Sequence, residues 1–291
     1  MSVSSRFDTF LSNISQTEAQ KTAGAERRAS VVKALNSHYR GSSSETANSK
    51  YVGSWGKYTR IRPPRDVDLL FELPKSVYEK YQSRSGNKQS QLLQEVKGIL
   101  AARFPNTDVQ GDGPVVKVPF TSYNVELLPA FLLTTGQYWV CMTNDGGQYK
   151  SADYDAEIKV VKDSNDLTKG NTRNLVRMMK CWQGYCDVPL KSFWIELIAV
   201  EFLAGWEHRD KSSTYYDWMA RDFLKHLEGK AYGNLYAPGT YEQMYLGDAW
   251  LTKATTARQR AEKACNNETD YPITAGDEWQ KIFGTDIPKY A

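Results

Sequence analysis

Apolar residues recur at helical spacing over the first forty positions: Phe7, Phe10, Leu11 and Ile14, then Val31, Val32 and Leu35. This predicts helix from about residue 5 to 40, ended by the small polar residues Gly41 to Lys50. The period then changes. Val67 to Leu73, closed by Pro74, predicts a strand, and Ser76 to Phe104 predicts helix with an interruption at residues 83–87. Asn106 to Leu133 reads as β structure, with one strand through Val115, Val116, Val118 and Phe120 and another over Asn124 to Leu128. Residues 144–170 are polar and glycine-containing, a crossover between lobes. From Asn171 onward nearly every segment reads as helix. The expectation is an α+β chain with a mixed sheet in a first lobe, 1–160, and a mainly helical second lobe, 161–291.

Composition excludes several classes. Ser192 to Trp206 is the stretch nearest to a membrane span, but Glu196 and Glu201 interrupt it. The first residues lack the basic flank and apolar core of a signal peptide, so a cytoplasmic protein is expected. A net charge of +3 without a block of like charges gives no extended surface for nucleic acid. Cys141, Cys181, Cys186 and Cys265 form no CxxC pair, and His38, His208 and His226 stand alone. Zinc is therefore not expected, and the thiols read as reduced and structural.

Chemistry concentrates between Gly53 and Asp68. A Gly53-Ser54 turn can offer backbone N–H groups and a hydroxyl to phosphate oxygens. Beyond eleven intervening residues, 55–65, Asp66 and Asp68 stand two apart, which on a strand puts both carboxylates on one face. Such a pair can share divalent ions, because Mg²⁺ takes oxygen ligands and keeps substrate phosphates in its shell. Asp153 and Asp155 repeat the spacing without a glycine turn and read as a solvated loop. Glu126, flanked by apolar residues on the second strand and placed after a hairpin so as to neighbour the first strand, supplies a third carboxylate.

Gly53-Ser54 followed by Asp66-Val67-Asp68 resembles the signature of the polymerase-β-like nucleotidyltransferase superfamily. The segments Thr59 to Pro63, Val125 to Phe131, Asn174 to Trp182, Leu190 to Leu197 and Trp279 to Gly284 resemble one branch of it. That branch is the bacterial cGAS/DncV-like nucleotidyltransferases (CD-NTases) of CBASS antiphage defence, and the likeness covers almost the whole chain.

The resemblance implies a catalytic first lobe and a helical lobe completing a nucleotide-binding cleft. It implies two Mg²⁺ ions, replaceable by Mn²⁺, held by Asp66, Asp68 and Glu126, where relatives usually carry aspartate at the third position. Gly53, Ser54, Lys180 and Ser192 would hold a triphosphate, and Phe193 would stack on a base. Read without the resemblance, Lys180 falls on the polar side of its helix, Ser192 suits helix capping, and Phe193 suits a core. The implied activity is synthesis of a cyclic oligonucleotide second messenger, an adenine-containing cyclic trinucleotide, from ATP and other NTPs. The implied partner is a HORMA-domain or other CBASS regulator, with no nucleic acid required and no membrane. Ile287 to Ala291 reads as a short tail open to such a partner. Two other readings compete: a template-independent RNA nucleotidyltransferase, and an inactive nucleotide-binding module.

Overall fold

The computed structural model describes residues 2–64, 66–121 and 123–290. Two helices, not one, occupy the first forty residues: α1 (Val3–Ile14) and α2 (Glu18–Arg40). Thr17 causes the break. Its hydroxyl accepts from the Gln20 N–H at 3.2 Å while the Gln20 side chain accepts from the Thr17 N–H at 3.0 Å. This capping box starts a new helix inside a continuous apolar spacing. Gly41, left-handed at φ 59°, ends α2.

The chain divides into two compact units, one of residues 16–58 and 64–158, the other of residues 1–15, 59–63 and 159–291. The first unit is built on a sheet. Its strands are β1 (Ser49–Tyr51), β2 (Asp66–Glu72), β3 (Gln110–Asp112), β4 (Val115–Pro119), β5 (Asn124–Leu132), β6 (Tyr138–Met142) and β7 (Gln148–Ala152). Among the described residues they form a mixed seven-stranded sheet in the order β1-β2-β5-β4-β3, with β6 on the far half of β5 and β7 beside β6. The β2–β5 pair is parallel and the others are antiparallel.

The short helix α3 (Gly53–Lys57) follows β1, and α4 (Lys75–Gln82) and α5 (Lys88–Arg103) follow β2. On one sheet face Val67, Leu69, Phe71, Val116, Val118, Val125 and Leu127 pack with Val31, Val32 and Leu35 of α2 and Leu92, Val96 and Leu100 of α5. Each fully buried aliphatic or aromatic side chain contributes about 1.5–3 kcal/mol. On the other face only the far half is apolar, where Leu70, Leu128 and Ala130 meet Val52, Tyr138 and Val140. The near half of that face is polar.

The segment 144–170 holds β7 and the helix α6 (Tyr154–Leu167), within which the chain passes from one unit to the other at residues 158–159. Asp153 accepts from the Ala156 N–H at 2.9 Å, and Asp155 binds Lys50 at 2.7 Å. The second aspartate pair thus starts a helix, where carboxylates are favoured, instead of lying in a solvated loop. Lys159–Asp163 and Lys162–Asp166 pairs support the polar face of α6.

The second unit is helical: α1 with α7 (Asn171–Tyr185), α8 (Ser192–Gly205), α9 (Tyr216–Glu228), α10 (Leu251–Asn267) and α11 (Pro272–Phe283). A small hairpin of β8 (Asn234–Tyr236) and β9 (Gln243–Tyr245) interrupts the helices. Phe7 packs edge-on to Trp279 with ring centres 5.3 Å apart, and Phe10 lies 4.8 Å from Phe283. The buried Arg6 donates to the carbonyls of Pro272, Pro288 and Lys289 and pairs with Glu268 at 3.1 Å. Ile287 is fully buried. Residues 287–289 are therefore fastened down rather than open as a tail, and Ala291 lies outside the described residues. No described helix is long and apolar enough to cross a membrane.

Candidate active site

The near half of the sheet face owes its polarity to strand register. Asp66 lies opposite Asn124, and Asp68 opposite Glu126, across the parallel β2–β5 pair; Glu126 in turn lies opposite Lys117 of β4. Alternate residues share a face, so Asp66, Asp68, Asn124, Glu126 and Lys117 stand together while Val67, Val125 and Leu127 point into the core.

Gly53-Ser54 is the start of α3, not an open turn, and it clamps Asp68. The Asp68 Oδ2 accepts from the Ser54 N–H at 3.2 Å and from the Ser54 hydroxyl at 3.4 Å. Gly53 sits at φ +50°, and a Cβ there would lie 2.3 Å from the same Oδ2. Both the conformation and the close approach demand glycine. The Trp55 indole donates to the Asp66 carbonyl and the Val52 N–H to the Asp68 carbonyl, each at 3.1 Å, tying α3 to β2. Asn124 donates to the Asp66 Oδ1 at 2.9 Å.

Glu126 binds Lys117, with Nζ to Oε1 at 2.9 Å. The hydrogen bond and charge of Glu126, followed by the charges of Asp66 and Asp112, raise the pKa of the Lys117 ammonium. The phenol of Tyr154 is pushed well up by burial and then by the charges of Glu157 and Asp68, which keeps it a neutral donor. As placed, no three carboxylate, imidazole or thiol groups among the described residues form an ion-holding cluster. Lys117 supplies the counter-charge to Glu126. The donor set still fits Mg²⁺: three carboxylates on one face, without sulfur or imidazole.

The helical unit holds the other expected residues. Lys180 is not on a solvated helix face. It is buried, donating to Glu196 at 2.8 Å and to the Thr59 hydroxyl at 3.0 Å, while that hydroxyl donates to the same Glu196 oxygen at 2.7 Å. Ser192 is the first residue of α8, and its hydroxyl donates to Gln183 at 2.9 Å. Phe193 is half-buried against the helical core. The sequence reading gave no role to Lys117, Asn124 or the arginines of α7. Burial, then the charges of Arg173 and Arg60, lower the pKa of the Arg177 guanidinium. A polar residue at every second position of two neighbouring strands was the signal available for Lys117 and Asn124.

Two strand carboxylates, one clamped by a Gly-Ser helix start, with a third carboxylate in register beside them, make up the candidate site. The chain belongs to the family described as Second Messenger Oligonucleotide or Dinucleotide Synthetase domain, SMODS, which matches residues 1–165, and so to the bacterial cGAS/DncV-like nucleotidyltransferases. It is similar to a probable cyclic nucleotide synthase of Bacillus cereus (strain VD146), at 19% identity over 82% of this chain and 81% of that protein. It is also similar to the CBASS oligonucleotide cyclase CdnC of Escherichia coli (strain KTE188), at 27% identity over 60% of this chain and 56% of that one. The solved E. coli MS115-1 CdnC with ATP shares the fold, with a TM-score of 0.71 at 17% identity and 98% of each chain covered. A second structure of that protein, in complex with HORMA-deltaN, aligns with a TM-score of 0.72 at 16% identity, again over 98% of each chain.

Proposed function

We propose that this enzyme joins ATP, with other NTPs as partners, into a cyclic oligonucleotide second messenger containing adenine, a cyclic trinucleotide, in CBASS antiphage signalling in the bacterial cytoplasm. The observation that carries the reading is the shared face of Asp66, Asp68 and Glu126, with Asp68 clamped by Ser54. These three carboxylates would hold two Mg²⁺ ions. When bound, the ions would lower the pKa of the acceptor hydroxyl and neutralise the leaving pyrophosphate.

The chain's own residues position. Gly53 and Ser54 are proposed as phosphate ligands on the family resemblance, the Ser54 N–H and hydroxyl being those that hold Asp68 here. Asn124 orients Asp66, and Lys117 balances Glu126 until an ion takes its place. Lys180 and Ser192 are proposed as triphosphate ligands and Phe193 as the base-stacking residue on the family resemblance. Glu196 and Gln183 are the partners from which the first two would be drawn. Positioning and charge neutralisation suffice for phosphoryl transfer, which needs no nucleophilic side chain. A HORMA-domain regulator is proposed because CdnC was solved with one.

The test is to supply ATP alone and then all four NTPs with Mg²⁺, each with and without long duplex DNA or RNA. Product that incorporates ATP and forms equally without duplex is expected. Strict dependence on duplex, or extension of an added RNA, would move the chain to the nucleic-acid-sensing or RNA-modifying reading.

A further inference from the structure

The helical unit contains an open pocket of about 150 Å³ between α7, α10 and α11. Trp182 of α7, Cys186 just beyond its end, Lys253, Thr256 and Arg260 of α10, and Lys281 of α11 line it. None of these residues has a part in nucleotidyl transfer as proposed above. A cavity of this volume admits a molecule about the size of benzene.

Two observations describe the ligand. The first is charge. Lys253 donates only to the backbone carbonyls of Cys186 and Asp187, at 2.5 and 2.8 Å. Arg260 and Lys281 share a single buried carboxylate, Glu278, at 3.4 and 2.9 Å, and Lys263 binds it as well at 2.8 Å. The lining is therefore cationic in excess of its counter-charge.

The second is an orphan donor. Trp182 is fully buried, and its indole N–H has no hydrogen-bond partner among the described residues. The other two fully buried tryptophans are satisfied: Trp250 donates to the Leu246 carbonyl at 3.0 Å and Trp279 to Glu268 at 2.7 Å. Buried N–H groups are nearly always paired, so the exception on the wall of a cationic pocket points to a missing acceptor.

We propose that this pocket binds a small metabolite bearing phosphate or carboxylate groups. Lys253 and Lys281 meet its charge, and one of its oxygens accepts from the Trp182 indole. Phosphate and carboxylate oxygens share this chemistry, and charge-assisted bonds to lysine are the stronger class.

The test uses the full ¹⁵N-labelled chain in metal-free buffer. The eight tryptophans give eight indole signals, and Trp182→Phe, or sequential assignment if that variant fails to fold, identifies the one that matters. Inorganic phosphate and citrate are titrated separately, which distinguishes the two sources of the oxygens. The expected result is saturable movement of the Trp182 signal with at least one probe. Lys253→Met with Lys281→Met should weaken that binding by about tenfold or more, and Asp66→Ala with Asp68→Ala should leave it unchanged. A Trp182 signal unmoved by both probes overturns the proposal. So does a lysine double variant that binds as tightly as the wild type.

Discussion

At the scale of single residues the site rests on the space between Gly53 and Asp68. Gly53→Ala would force a left-handed alanine, costing about 1–2 kcal/mol, and drive its Cβ into the Asp68 carboxylate. Gly113 supplies the control: it sits at φ +58° with open space around its missing Cβ. In urea melts Gly113→Ala should lose the backbone strain alone and Gly53→Ala more, because of the added clash. Gly53→Ala should also lose nucleotidyl transfer by about a hundredfold or more, the scale of a misplaced catalytic group. Equal turnover by the two would show that the close approach is dispensable.

Lys180 is a second residue-scale case. Lys180→Ala would leave Glu196 buried without its lysine, so a loss of about 3–5 kcal/mol is expected. Lys180→Met combined with Glu196→Gln should recover most of it. If instead Lys180→Ala melts like the wild type while the KM for ATP rises tenfold, the lysine serves the triphosphate and not the core. Its burial was hidden in the sequence because a lysine normally marks a wet face. Yet Thr172, Val176 and Lys180 lie four apart, and all three are buried. The Asp66–Asp68 spacing was readable because it needs only the two-residue period of a strand. The Lys117–Glu126 pair needs the register between strands, which no local pattern contains.

Elements were legible where apolar period and breakers agree, as in β2, closed by Pro74, and the two helices either side of residues 83–87. They were missed where a polar signal decides. The Thr17–Gln20 capping box splits the first helix, and Asp153 opens α6.

Helix α9 carries a pH-sensitive group of this scale. Asp217 is buried near its start, and burial pushes its carboxyl up to about 6, against the opposing Trp218 N–H bond. A raised acid favours the folded state while it stays protonated. That stability is fully present below the ordinary aspartate range, near 3.8, and is lost as pH rises through about 6. A shift of this size corresponds to on the order of 3 kcal/mol. The melting temperature of the wild type minus that of Asp217→Asn should therefore fall between pH 4 and pH 7. A difference independent of pH would contradict the assignment.

At the scale of the whole molecule, the parallel β2–β5 pairing assembles the site, joining residues 66–68 to 124–126. The sequence marked both strands and set the second beside the first, but the residue-by-residue register is a property of the sheet. The β8–β9 hairpin escaped notice because each strand is three residues long and its Tyr236 and Tyr245 face solvent, leaving no alternation to read. Residues 1–15 join the helical unit through Phe7 and Phe10 against Trp279 and Phe283, a partnership spanning most of the chain.

The identity of the product decides whether the enzyme is a cyclic oligonucleotide synthase. Protein incubated with all four NTPs and Mg²⁺, then treated with phosphatase, is examined by mass spectrometry. A phosphatase-resistant cyclic oligonucleotide containing adenine is expected, absent when Asp66→Ala and Asp68→Ala are combined. A linear, phosphatase-sensitive product, or equal yield from the double variant, would contradict it.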